Sequence, residues 1–221
     1  MPIFKTKNED FFKVWSPEMA YVLGFFTADG NMIRNKRGAY FMEFQITDKD
    51  LLYKIRKVLK SNHKITERNR DHKWKKSYRL QIGSKKIFND LLKLGLTPNK
   101  SKTIKLPDIP QDFFSDFTRG YFDGDGCVTV CHYVRKDRNN KKCIRILSGF
   151  ISGSQEFLEA LHLKLKNLAN IVGGILYEHE GYRLTFSLKD TRKLYNFMYN
   201  DKNDLFLDRK KNKFEEFFKI N

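Results

Sequence analysis

SPEMAYVLGFFTADGNM, running from Ser16 to Met32, returns 96 positions later as DFFSDFTRGYFDGDGCV, Asp112 to Val128. Two further echoes follow in the same order. FQITDKDLL (Phe44–Leu52) is answered by FISGSQEFL (Phe150–Leu158), and YRLQI (Tyr78–Ile82) by YRLTF (Tyr182–Phe186). Three matches in one order imply two copies of one structural unit, so the fold has to be read as a duplication before any local assignment is made.

Each copy reads the same way: an apolar helix, a glycine-containing hairpin, an amphipathic helix, a second hairpin and a third helix. Ser16 is a natural N-cap with Pro17 at the first helical position, and Gly30 ends the helix; Asp112 takes the corresponding cap position in copy two. Met42, Phe44 and Ile46 alternate with Glu43, Gln45 and Thr47, which predicts sheets with one buried and one polar face. Leu51, Leu52, Ile55, Val58 and Leu59 have helical spacing and place a second helix over Lys49–Leu59, matched by Gln155–Leu168. The Pro-containing LGLTPNKSKTIKLPDIP (Leu94–Pro110) marks the boundary. The expected organisation is an N-terminal repeat over 1–97, a linker over 98–111 and a C-terminal repeat over 112–221. The fold class is α+β.

The chain has 221 residues, of which 43 are Lys or Arg and 26 Asp or Glu, a formal charge of +17. Such a surplus points to nucleic acid as the partner. It is uneven: residues 1–110 hold 24 basic and 11 acidic residues (+13), and residues 111–221 hold 19 and 15 (+4), so phosphate contacts are expected to be heavier in the first copy. The basic residues are scattered over strand-like segments rather than gathered on an amphipathic helix, which argues against a membrane surface. No apolar run approaches the roughly 18 residues of a membrane span, and MPIFKTKNEDFF has no signal-peptide pattern. A soluble, intracellular protein is expected, its host unspecified. Cys127, Cys131 and Cys143 fit reduced thiols better than a zinc module, since a Cys127/Cys131/His132/Cys143 cluster has no standard spacing.

Small residues recur four apart in both first helices, at Gly24 and Ala28 and at Gly120 and Gly124, giving each helix a groove where another backbone can come close. A packing seam alone would explain this. Asp29 and Asp125 add something more, because they sit in the last turn, where the helix dipole disfavours a carboxylate. Packed in parallel, the two helices would bring the acids side by side, and close carboxylates call for a proton or a cation. An all-oxygen pair suits Mg²⁺.

VLGFFTADG (Val22–Gly30) and TRGYFDGDG (Thr118–Gly126) resemble the paired motifs of the single-chain, double-motif LAGLIDADG homing endonucleases, and PNKSK (Pro98–Lys102) and FLDRKKNKF (Phe206–Phe214) extend the likeness over nearly the whole chain. The resemblance implies two pseudo-symmetric α-β-β-α-β-β-α repeats whose antiparallel sheets form a DNA-binding saddle around central motif helices. It implies metal-dependent cleavage of double-stranded DNA by a monomer, with Asp29 and Asp125 as metal ligands, the Ala28 and Gly124 carbonyls adding to them, and Lys100 and Lys210 as the basic catalytic residues. Mg²⁺ is the expected cofactor, with Mn²⁺ able to replace it and Ca²⁺ binding without efficient cleavage. Thr27 departs from the motif's first aspartate, a position usually structural. Asp48 and Ser154, which close the second strand of each copy, are candidates for ordering water, with a helix N-cap as the simpler reading.

Base recognition is expected from outward strand residues, since a two-stranded ribbon fits the major groove. The candidates are Asn35, Arg37, Glu43, Gln45, Arg68, Arg70, Ser77, Arg79 and Gln81 in copy one, and Thr129, Arg145, Arg183 and Thr185 in copy two. Their difference between copies predicts an asymmetric target, and the resemblance implies intron homing as the setting. An alternative on the same fold is a maturase binding host intron RNA. A non-catalytic regulator is disfavoured because both acids are retained, and an intein because no splicing segments flank the motifs.

Overall fold

The structure, a computed structural model, describes residues 5–68, 75–200 and 204–220. Ser16 caps the first helix as its side chain favours, its Oγ accepting from the Met19 amide at 3.1 Å. Helix α1 (Pro17–Asp29) is buried at every residue from Met19 to Thr27. A helix with no polar face belongs in the interior, and α1 lies at the molecular centre. Strands β1 (Gly30–Arg34) and β2 (Tyr40–Ile46), helix α2 (Lys49–Val58), strands β3 (Ile65–Arg68) and β4 (Ser77–Gly83), and helix α3 (Lys85–Lys93) complete the first repeat. The second repeat follows the same plan, with α4 (Phe114–Asp125), β5 (Gly126–Arg135), β6 (Lys141–Ser152), α5 (Gln155–Leu168), β7 (Ile175–Glu178), β8 (Tyr182–Phe186) and α6 (Leu188–Tyr199). Both sheets are antiparallel and four-stranded, in the orders β1-β2-β4-β3 and β5-β6-β8-β7.

Period-two alternation places one face of each sheet against the helices. Met32, Met42, Phe44, Leu80 and Ile82 are buried in the first sheet; Val128, Ile146, Phe150, Leu184 and Phe186 are buried in the second. The motif helices meet those faces through aromatic contacts: Phe26 packs edge-on against Phe44 at 5.2 Å, and its counterpart Phe122 does the same with Phe150 at 5.6 Å. The repeats join through α1 and α4. A Cβ on Gly24 would collide with the Phe117 carbonyl, one on Gly120 with the Tyr21 carbonyl, and one on Gly124 with the Ala28 side chain. These contacts advance together along both helices, so the pair is parallel, and both C-termini emerge at one end.

Three sequence expectations are corrected. Asp112 does not cap α4: it lies in a 3-10 turn (Gln111–Phe113), and Phe113 occupies the cap position without a side-chain bond. The copies are unequal at their ends, because the second carries a further helix, α7 (Asp208–Ile220), where the first has only a 3-10 turn, Lys100–Lys102. Asn35 and Arg37 belong to the β1–β2 turn rather than to a strand; the Asn35 side chain accepts from the Arg37 and Ala39 amides and holds that turn. Ser154 is buried, and its hydroxyl accepts from Phe157 N as the N-cap of α5, the simpler of the two readings given for it. Buried Arg119 adds a tie of its own, pairing with Asp116 and donating to the carbonyls of Met198 and Leu205, so that its own buried charge is answered.

Candidate acidic centre and nucleic-acid interface

Parallel packing through glycine brings the two motif acids together. Gly124 abuts Ala28 so closely that an added Cβ would stand 3.3 Å from Asp29 Oδ2. Burial raises the pKa of Asp29, opposed chiefly by the charges of Lys210 and Lys100. Asp125 is pushed up to about 6, first by burial and then by the negative charge of Asp29. The negative charge of Asp29 thus works against ionisation of Asp125, as expected of a carboxylate beside another at a helix end.

Lys100 and Lys210, the lysines that the resemblance singled out, lie at the ends of the two motif helices and answer their dipoles. Lys100 and Lys210 are both buried, at 7% and 6% exposure. Lys100 Nζ donates to the Gly30 carbonyl at the end of α1. Lys210 Nζ donates to the carbonyls of Phe122 (2.6 Å), Asp123 (2.8 Å), Gly124 (3.1 Å) and Gly126 (2.7 Å) at the end of α4. A cation at a helix C-terminus is the favourable arrangement. Burial still lowers both lysines to about 8, the nearby aspartates partly offsetting it. The Gly124 carbonyl, a candidate metal ligand, is thus already shared with Lys210.

Asp123 is the motif acid that Thr27 replaces in the first copy. It accepts from Tyr21 Oη at 2.7 Å and from the Leu207 amide at 2.8 Å, tying α4 to both α1 and the approach to α7. In copy one the Thr27 hydroxyl turns back to the Leu23 carbonyl at 2.8 Å. The substitution at Thr27 therefore removes a tie and leaves the acidic pair alone.

Asp48 belongs to a cleft of about 230 Å³ with Asp29, Gln45, Asp123, Gly124 and Arg209 among its walls. Its carboxylate makes no cap bond to α2. Instead it accepts from Arg209 Nε and Nη2 at 3.0 and 3.1 Å. Arg209 escaped the sequence reading because its counterpart in copy one is Asn99; only its position beside Lys210 signalled it.

The register sorts the remaining candidates. Glu43, Gln45, Ser77, Arg79, Gln81 and Arg68 share the polar face of the first sheet, joined by Asn31 and Thr66, which the sequence reading had passed over. Glu43 is nearly enclosed by its neighbours, accepting from Gln81 at 2.8 Å and Arg79 at 3.4 Å. Gln45 donates to Ser77 Oγ at 3.2 Å. Arg70 lies outside the described residues. Thr129, Arg145, Arg183 and Thr185 share the polar face of the second sheet, where Arg145 covers the Tyr133 ring at 5.4 Å. Cys127, Cys131 and Cys143 lie on this face, whereas His132, paired with Ile144, points to the other. Among the described residues no cluster of three or more His, Cys, Asp or Glu side chains is placed to hold a metal. Among them, too, no helix is long and apolar enough to cross a membrane.

Two four-stranded sheets flanking a parallel glycine-packed helix pair, with an acid at the end of each helix, define the single-chain, two-repeat LAGLIDADG fold. Residues 16–94 match the family model described as a LAGLIDADG-like domain, and the whole chain shares the fold of solved double-motif LAGLIDADG homing endonucleases. Similar solved structures include the meganuclease I-SmaMI bound to uncleavable DNA (TM-score 0.67, 13% identity, covering 93% of this chain and 90% of that one) and the I-LtrWI LAGLIDADG homing endonuclease bound to target DNA (0.62, 15%, 96% and 90%). The homing endonuclease I-WcaI on its recognition sequence is another (0.59, 20%, 93% and 90%). An uncharacterized protein of Methanocaldococcus jannaschii is 28% identical over 135 residues, covering 58% of this chain; the chain spans about half the length of that relative.

Proposed function

We propose that this chain is a site-specific endonuclease that hydrolyses both strands of a long, asymmetric DNA target with the help of a divalent metal. The observation that carries the reading is the pair Asp29 and Asp125: two partly desolvated carboxylates held together by backbone-to-backbone packing, at the same end of both central helices. Such a pair is costly to fold around and has no structural use that a neutral pair would not serve better.

The donor set fits a hard cation. Asp29, Asp125 and the carbonyls of Ala28 and Gly124 offer oxygen alone, the preference of Mg²⁺, and the bare Cα of Gly124 keeps Asp29 Oδ2 unobstructed. When bound, Mg²⁺ or Mn²⁺ would lower the pKa of a water and stabilise the leaving oxygen; Ca²⁺ is expected to bind without supporting efficient cleavage. Lys100 and Lys210 hold positive charge beside the acids, fixed by carbonyls rather than free to swing. In this reading they neutralise charge that builds on the reacting phosphate. The polar sheet faces hold the duplex in register, with Gln81, Gln45, Arg79 and Arg68 reading base edges from the first repeat and Arg145, Arg183, Thr129 and Thr185 from the second.

Incubating the cognate duplex with Mg²⁺ and the wild-type, Asp29→Asn and Asp125→Asn proteins tests this. The variants should bind the duplex and fail to complete double-strand cleavage. Wild-type rates from both variants would remove the acidic pair from the mechanism. Tighter binding to intron RNA than to the duplex, with no cleavage by any of the three, would favour the maturase instead.

A further inference from the structure

We infer that Arg209, clamped by Asp48, is a phosphate-positioning residue that serves only one of the two strands; the inference rests on the nuclease reading above. Asp48 stands at the N-cap of α2, a position where an aspartate ordinarily bonds the helix amides, and it forgoes that bond. Both its oxygens instead take the same edge of one guanidinium: Nε at 3.0 and 3.3 Å, Nη2 at 3.1 Å. All three contacts leave from the Nε and Nη2 side. Among the described residues Nη1 has no partner, so the opposite edge of a rigid fork is presented to whatever enters the cleft. A guanidinium with one edge occupied by carboxylate and the other open is suited to a second oxyanion, a phosphodiester oxygen above all.

Stability does not account for the pair. The Arg209 side chain is 56% exposed, and exposed ion pairs of this kind add little to folding. The location accounts for it better: the same cleft is walled by Asp29 and Gly124, and Arg209 and Asp48 are among the charges acting on the Asp29 carboxylate, while those acting on Asp125 are Asp29, Lys210 and Lys100.

Among the described residues, the corresponding positions of the two copies hold no such pair. Aligning Lys100 with Lys210 and Phe44 with Phe150 puts Asn99 opposite Arg209 and Ser154 opposite Asp48. Ser154 spends its hydroxyl on capping α5. Asn99 carries no charge and adopts a left-handed backbone at φ 58°, which its residue type tolerates. Here Gly153 lies directly against the Ser101 carbonyl, so the chains meet backbone to backbone where an arginine fork stands in the other half. One cleft can grip a phosphate through an oriented guanidinium, whereas the position equivalent to Arg209 holds the uncharged Asn99.

The experiment uses the cognate duplex with each strand separately labelled, and compares wild type with Arg209→Ala, Arg209→Lys and Asp48→Ala. Arg209→Ala should slow cleavage of one strand by about tenfold or more, the scale of one charge-assisted hydrogen bond, and leave the other within about twofold, so that nicked product accumulates. Asp48→Ala should slow the same strand, and Arg209→Lys should restore part of its rate. A second arm needs no metal: in EDTA, replacing the phosphate at that cut by a neutral methylphosphonate should weaken binding by wild type more than by Arg209→Ala. Equal slowing of both strands, or equal sensitivity of both proteins to the methylphosphonate, would overturn the inference. Failure of wild type to cut either strand would instead count against the nuclease reading, and the EDTA arm, with the methylphosphonate stepped through the central phosphates of the bound duplex, would still decide Arg209.

Discussion

Replacing Asp125 by Asn should stabilise the metal-free protein while disabling cleavage. Asp125 rises from 3.8 to about 6 on folding, and each pKa unit corresponds to about 1.4 kcal/mol. A group whose pKa is raised by folding contributes stability below its unfolded value and loses it as pH climbs through the folded one. Above pH 6 the ionised carboxylate therefore costs the fold up to about 3 kcal/mol. Asn keeps the shape without the charge. The attraction of Lys100 and Lys210 is already contained in that net shift, and water reaching one side of the group discounts it further, which leaves about 1–2 kcal/mol. For a chain of this size that is a rise in Tm of about 2–8 °C. Thermal unfolding in EDTA at pH 7.5 reads it. At pH 4, where the wild-type carboxyl is protonated, the difference should shrink toward zero, and Mg²⁺ at pH 7.5 should raise the wild-type Tm more than that of the variant. An Asp125→Asn protein no more stable than wild type at pH 7.5, or equally stabilised at both pH values, would refute the reasoning.

Metal affinity should climb with pH through about 6 and level off above it, because protons compete for the raised Asp125 carboxyl; below that point titration calorimetry should find about a tenfold loss per pH unit. Gly120→Ala places a methyl group against the Tyr21 carbonyl, backbone that cannot rotate away, and should cost at least about 2–3 kcal/mol in denaturant unfolding; a cost below about 0.5 kcal/mol would deny the close helix contact. Glu43→Gln removes the carboxylate that holds Arg79 and Gln81. DNA binding should tighten, the slope of log K against log salt should steepen by about one, and discrimination at one base position should relax; an unchanged slope would show Arg79 to be fixed by something else.

Much of this was legible in the chain itself, for a physical reason: duplication states the same constraint twice. The correspondence of Tyr78–Ile82 with Tyr182–Phe186 fixed which strands were equivalent, and the four-residue spacing of Gly24/Ala28 and Gly120/Gly124 showed which helix faces could meet. Lys100 and Lys210 were named through the family resemblance, on PNKSK and FLDRKKNKF. Features present in one copy only were hidden. Arg209 has Asn99 as its counterpart, and α7 has a single 3-10 turn, so self-similarity could not point to either. Tertiary competition explains the rest. Asp48 is a good cap residue drawn to a guanidinium 161 positions away. Asn35 reads as a polar strand residue, yet the nearby Gly38 lets the chain turn, and the amide-accepting side chain is spent on that turn.

Cleavage of a randomised duplex library tests the central claim most directly. At low salt with Mg²⁺, sequencing the cut ends should recover one long, non-palindromic motif, cut once on each strand near its middle, and Asp29→Asn or Asp125→Asn should abolish its recovery as a double-strand break. Intact library at protein concentrations that bind it fully, or cuts scattered without a motif, would contradict the account.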